Sequence, residues 1–190
     1  TRGIMERQVG HLMRIADELS DLARLSGTQA TLQRGSFDVA TVLQDVAARL
    51  APTLQAQEMT LAVQAAPGTL PRLRGDAQRI GQAVGYLVDD IARHSERGST
   101  IHIAAAPGRA GDATLAIAVA SAADLGEAPR LLEEVDCAAL GLGVALASQL
   151  ALMHGGGLKG RRPAGARRVR FELALPVEAQ AAEAPAGAVP

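Results

Sequence analysis

The chain must close a core almost without aromatic rings. Its 190 residues hold two Phe, one Tyr and no Trp, yet 48% of them are hydrophobic. Aromatic side chains normally contribute the largest buried areas, so Ala, Leu and Val have to fill the interior through many small contacts. The length suits one ordinary domain plus a short extra element. A single cysteine, Cys137, excludes an internal disulfide framework and a multi-cysteine metal site, which fits a reducing compartment. The formal net charge of −1 lacks the basic excess of a nucleic-acid binder. Arg161, Arg162, Arg167, Arg168 and Arg170 cluster late in the chain and read as a solvated hairpin. No apolar run approaches the ~18 residues of a membrane span. The start, TRGIMERQVG, has neither a signal-peptide core nor an initiator Met, so the chain reads as a piece of something longer.

Hydrophobic periodicity divides the chain. Residues 3 to 25 read as a long amphipathic helix: Met5, Leu12 and Leu19 recur every seven residues, with Val9, Ala16 and Ala23 four positions after each. Such a heptad-like seam wants a partner helix, and Gly27 is a plausible stop. A short strand is expected within 31 to 37. Asp38 then caps a helix through Val39, Val42, Leu43, Val46 and Leu50, with Pro52 in it or near its end. MTLAVQA alternates as a strand, and PGTLPRLRG is a loop with a short strand at its end. Asp76 caps a helix through Ile80, Ala83, Val84, Leu87, Val88 and Ile91. TIHIAAA and ATLAIAVA form antiparallel strands around the turn PGRAGD. A short helix is expected from Ala128 to Val135, and another from about Leu142 to His154, ended by Gly155, Gly156 and Gly157. A hairpin near Leu158 and Val169 to Leu175 closes the domain, and the Ala/Pro/Gly-rich tail reads as linker. The expected class is α+β: a two-layer sandwich, a mixed sheet with helices on one face, preceded by the long helix.

Four segments carry a family resemblance. MERQVGHLMRIADELSDLARLSG resembles the second helix of the dimerisation and histidine-phosphotransfer hairpin of sensor histidine kinases. GDAQRIGQAVGYLVDDIARHS resembles their helix bearing the Asn-rich box. LGLGVALASQLALMHGG resembles the second glycine box and the helix after it, and VRFELALP the final strand. No single piece is specific; their order and spacing are, and they fit hybrid sensor kinases best. The resemblance implies a Bergerat-type ATP-binding sandwich over residues 29 to 177, a hairpin helix over 1 to 28 and a flexible tail over 178 to 190. It further implies Mg·ATP as cofactor, a response regulator or receiver domain as partner, homodimerisation through the helix at 3 to 25, and a bacterial cytoplasmic setting.

The family's positions carry over residue by residue. In the Asn box, Tyr86 stands for the first Asn and Asp90 for the second. Asp90 keeps a hard oxygen donor suited to Mg²⁺, and Arg93 keeps the positive charge of the family's Lys. In the first glycine box, Ser121 takes the place of the adenine-binding Asp and Ala123 that of the first Gly. A hydroxyl cannot supply the charge-assisted bond, which is roughly twice as strong. In the second glycine box Ala139 replaces the first Gly, while Gly141 and Gly143 keep backbone amides available to phosphates at a helix start. The nucleotide-binding set is therefore Asp90, Arg93, Ser121, Ala123, Gly141 and Gly143, with Asp90 as the metal ligand. No catalytic residue is assigned. His11 lies on the second helix, and no His-acidic-Arg phosphoacceptor segment is present.

Three functions follow from the resemblance. The domain is either a degenerate, pseudokinase-like module with weak ATP binding, or an active kinase fragment whose phosphoacceptor lies upstream of Thr1, or a phosphotransferase between response regulators. Phosphoryl transfer depends on positioning and charge neutralisation, so the combined loss of the Asp, the first Asn and box glycines favours the first.

Overall fold

The computed structural model describes residues 9, 12–13, 16, 19–20, 23, 32–65, 68–108, 114–121, 132–163 and 169–177. The described residues between 9 and 23 are helical and exposed. Among them Val9, Leu12, Met13 and Leu19 are 52% to 65% accessible to solvent, so the apolar seam faces outward.

The domain proper begins with β1 (Gly35–Phe37), which pairs antiparallel with β3 (Leu73–Gly75) as a small separate ribbon. Between them run α1 (Val39–Gln55) and β2 (Thr60–Gln64). The Asp38 carboxylate accepts from the Ala40 amide at 2.9 Å, which caps α1, and its second oxygen accepts from Gly68 at 2.9 Å. Pro52 lies within the last turn of α1, where its missing N–H costs one bond near an end that closes shortly after. α2 (Ala77–His94) starts at Asp76, whose Oδ1 accepts from the Arg79 amide at 3.1 Å. Its inward stripe of Ile80, Ala83, Val84, Leu87, Val88 and Ile91 is buried, as its helical spacing requires.

The remaining elements are β4 (Thr100–Pro107), β5 (Thr114–Ser121), β6 (Leu132–Val135), a single 3-10 turn (Cys137–Ala139), α3 (Leu142–Met153), β7 (Gly157–Pro163) and β8 (Arg170–Pro176). The six-stranded sheet has the order β2-β4-β5-β8-β7-β6. β2 and β4 are parallel and every other pair is antiparallel. α2 packs against both α1 and α3. The result is the mixed α+β sandwich that the sequence suggests.

The core is aliphatic. Phe171 is the one aromatic among the largest fully buried side chains, alongside Leu43, Leu87, Ile101, Ile103 and Leu150. Phe37 and Tyr86 pack against it from the margin.

One element differs from expectation. Of the segment 128 to 135, the described part is the strand β6, not a helix. Leu-Glu-Glu-Val is a good helix former in isolation, but β7 offers it a free edge, and four residues pair in register from Leu132↔Pro163 to Val135↔Gly160. Tertiary pairing overrides local propensity here.

Candidate functional site

α2 and α3 are neighbours and run in opposite directions. The start of α2 meets the end of α3: the Asp76 amide donates to Nε2 of His154 at 3.0 Å. The other end of the pair therefore brings the last turn of α2, with Asp90 and Arg93, beside the start of α3, with Gly141 and Gly143. A short connection leads from α2 to Thr100, the start of β4, which lies level with Ser121 through the register Ile101↔Ser121. The described candidates thus collect at one end of the domain. Ala123 lies outside the described residues.

At that end the polar groups of α2 are committed to one another. Asp90 is only 4% exposed. Its Oδ1 lies 3.6 Å from Nη2 of Arg93, and its Oδ2 lies 3.8 Å from Nδ1 of His94. Arg93 also donates through Nε to the Asp89 carbonyl at 3.3 Å. Burial pushes the Asp90 carboxyl above its ordinary value, against the opposing pull of His94 and Arg93. Desolvation therefore outweighs the ion pairing. One turn back, Arg79 donates to Gln82 at 2.9 Å and Gln82 to the Tyr86 hydroxyl at 3.0 Å. Tyr86, at the first Asn-box position, thus belongs to a side-chain ladder along the helix.

The start of α3 is better preserved. Gly141 is its N-cap with φ of 138° and no side-chain capping bond, a backbone conformation that L side chains rarely adopt. Gly143 is buried within the first turn. The first-turn amides of a helix suit an anion.

The sheet closes this end of the domain. Ser121 is 2% exposed at the end of β5. Val119 pairs with Phe171 and Gly160 pairs with Phe171 from the other side. Continued two residues beyond these pairs, the registers place Ser121 and Arg162 on either side of Val169, the residue just before β8, on the same face as buried Val119, Gly160 and Phe171. Val169 is 4% exposed and apolar. Nε of Arg162 is buried and has no hydrogen-bond partner. The arginine hairpin is therefore not simply solvated: Arg161, Arg162 and Arg170 are half-buried, while Arg167 and Arg168 lie outside the described residues. Strand alternation alone could have placed Arg162 on the inner face with Leu158 and Gly160.

His154 is a structural capping residue, as its position at a helix end suggests. It is 7% exposed, its Nδ1 lies 2.7 Å from the Leu150 carbonyl, and its Nε2 takes the Asp76 amide. Nδ1 is therefore the protonated nitrogen. The far partner, Asp76, was not visible in the sequence.

A cavity of about 330 Å³ lies elsewhere, between α3 and the β6–β7 edge, lined by Cys137, Ser148, Leu158 and Lys159 among others. None of the candidate residues lines it. Burial raises the Cys137 thiol, which keeps it protonated and unreactive.

The residues fit the family's cofactor only in part. Gly141 and Gly143 suit phosphates. Asp90 is a possible metal donor, but it is buried against Arg93 and His94, and no group of three or more His, Cys, Asp or Glu able to hold a metal occurs among the described residues. Ser121 and Val169 offer no carboxylate to an adenine amino group.

No family model matches the chain. The chain is 26% identical over 181 residues to the alginate biosynthesis sensor protein KinB of Pseudomonas aeruginosa, covering 91% of this chain and 30% of that protein. It thus spans less than a third of that relative's length. Among solved structures, full-length ShkA in complex with AMPPNP superposes with a TM-score of 0.66 at 21% identity, over 88% of this chain and 36% of that one. ThkA in complex with the response regulator TrrA gives 0.68 at 14%, over 90% and 49%. The Acinetobacter baumannii histidine kinase AdeS gives 0.62 at 17%, over 90% and 81%. The described domain has the fold of histidine-kinase ATP-binding domains, and its sequence is related to that of a sensor kinase. No described helix is long and apolar enough to cross a membrane.

Proposed function

We propose that this chain is the C-terminal ATP-binding region of a two-component sensor histidine kinase whose nucleotide site has degenerated, so that it acts as a pseudokinase-like signalling or scaffold module. Residues 1–28 are its hairpin helix, 29–177 its ATP-binding domain and 178–190 a linker. The observation that carries this reading is the closed ion pair at the end of α2. Arg93, the cation that would meet phosphate, faces Asp90 at 3.6 Å. Asp90, the residue that would meet Mg²⁺, is buried against Arg93 and His94. A bound nucleotide would have to break these contacts before gaining its own. The base end adds a second loss, with Ser121 in place of the adenine carboxylate. Each lost site group costs on the order of 1–3 kcal/mol, and two or three together move a micromolar site into the millimolar range.

Calorimetric titration of the chain with Mg·ATP tests this. The expected result is no saturation at a few hundred micromolar ligand; low-micromolar binding overturns it. One observation favours the active-kinase alternative at the phosphate end alone: the turn at Gly141 and Gly143 is intact. In that alternative the phosphoacceptor lies upstream of Thr1. The phosphotransferase alternative would rest on His11, which lies outside the described residues.

The proposed partners are a second copy of the chain and a response regulator or receiver domain. The outward apolar face of Val9, Leu12, Met13 and Leu19 supports pairing of helices. Sedimentation of the intact protein as a strict monomer would remove that part of the reading. A cytoplasmic bacterial setting goes with it.

A further inference from the structure

We propose that the cavity between α3 and the β6–β7 edge is a docking site for an extended peptide segment of a partner protein, which pairs with the part of β7 that β6 leaves uncovered. None of the nucleotide candidates lines this cavity, so the site stands or falls independently of how ATP binds.

The gap exists because β6 stops short. β7 runs from Gly157 to Pro163, and β8 pairs with it from Gly157 onward. β6 pairs only with its second half, between Gly160 and Pro163. After Val135, opposite Gly160, the chain leaves the sheet and enters the 3-10 turn at Cys137–Ala139. Among the described residues no strand covers Gly157, Leu158 and Lys159 on the edge away from β8. A cavity of about 330 Å³ occupies that gap, lined by Val135, Cys137, Leu158, Lys159 and Gly160, with Ser148 of α3 on the helix side. Its volume lies at the lower end of the range of ligand pockets, roughly 300–1,000 Å³.

Main-chain direction identifies the occupant. The Gly160 amide points toward β6, where it donates to the Cys137 sulfur. Peptide groups alternate sides along a strand, so Leu158, two residues back within β7, directs its N–H and C=O into the gap as well. A residue of an antiparallel strand set opposite Leu158 exchanges both bonds with it and shares its face of the sheet. Leu158 and Val135 are half-buried there and Cys137 is 9% exposed. That wall is apolar and small, and it suits one branched aliphatic side chain, with the Ser148 hydroxyl as a single polar contact. The mouth carries both signs, Glu134 and Asp136 beside Lys159, so charge does not select the occupant. The chain's own end, residues 178–190, holds one β-branched residue and two prolines. That is a poor composition for a strand, and the segment is therefore assigned to a partner.

Amide resonances of the full chain, followed during titration with the uncharged probe acetyl-Thr-Val-Thr-amide, test this. The expected result is saturable shifts at Leu158, Gly160 and Cys137 with half-saturation below about 1 mM. At ten times the half-saturating concentration, the Leu158 amide should exchange with deuterium about tenfold more slowly. The same probe N-methylated at its valine keeps every side chain but loses the central donor, and should bind at least about tenfold more weakly. Ser148→Phe, which fills the cavity from α3, should abolish the shifts and leave the amide pattern of β8 unchanged. Equal affinity for the methylated probe would mean apolar contact without strand pairing and would overturn the proposal. So would shifts confined to β2, at the opposite edge of the sheet, or no saturable shift at all. If Ser148→Phe fails to fold, the two probes on the unaltered chain decide alone.

Discussion

The two ends of the α2–α3 pair are built by opposite rules. At the far end, the buried polar groups answer one another through short bonds. His154 joins the Leu150 carbonyl to the Asp76 amide at 2.7 Å and 3.0 Å. The Asp76 carboxylate takes the Arg79 and Gln33 amides at 3.1 Å and 3.0 Å. At the site end, the buried Asp90 carboxylate has one long ion pair, to Arg93, and a 3.8 Å approach to His94, Gly141 caps a helix with no side chain, and Arg162 buries an unanswered nitrogen. Satisfied polar groups fix a structure; unsatisfied ones mark a place where something else completes it or where a former occupant has been lost. The comparison teaches that the fold is held from the end away from the site. Change at the site end therefore costs the fold little.

The sharpest way to break this comparison is at the far end. A Cβ at Gly156 would overlap the Ala174 backbone carbonyl, and backbone cannot move aside as a side chain can. Gly156→Ala is expected to cost at least ~3 kcal/mol in a denaturant melt, and a neutral result would remove the claim that this end is tightly packed. Next, His154→Ala should cost about 2–4 kcal/mol, because it opens a cavity and strands the Asp76 amide. A Cβ at Gly75 would lie 2.6 Å from Cδ2 of the His154 ring. Gly75→Ala should therefore destabilise the unaltered chain and be nearly silent in the His154→Ala background; additive costs would show that the ring is not where the clash lies. Asp76→Ala, losing the cap of α2, should cost about 1–2 kcal/mol.

The site end should answer in the other direction. Burial raises the Asp90 carboxyl above its ordinary value of 3.8. Between that value and the raised one, the folded state holds a proton that the unfolded state has released, so stability falls as pH rises through this window. Asp90→Asn removes the penalty. It should raise the Tm modestly at neutral pH and flatten the slope of stability against pH in the acid range. A lower Tm would mean that the contacts with Arg93 and His94 outweigh desolvation.

The same contrast explains what the sequence could and could not tell. The caps at Asp38 and Asp76 and the helix stripes were legible, because a cap and a 3.6-residue period are local signals. The helix reading of Leu132 to Val135 failed because its partner, β7, comes some 25 residues later, and nothing local announces an edge awaiting a strand. His154 was legible as the last residue of a helix but not as a link to Asp76, 78 positions away. In the site, Asp90, Arg93, Gly141 and Gly143 could be named from motif spacing. The place of Arg162 beside Val169 arises only once strand register is set, and the burial of the local Asp90–Arg93 pair only once the helices pack. Charge clusters look alike in sequence whether they point to water or under a helix.

The central claim is that the base end of the site has lost its grip on adenine while the phosphate end has kept its backbone. Backbone amide resonances, followed residue by residue during titration with Mg·ATP, test it most directly. The account predicts weak, unsaturated shifts centred on Gly141 and Gly143, with Ser121 and Val169 unmoved. Saturable shifts at Ser121 at low-micromolar Mg·ATP would contradict it.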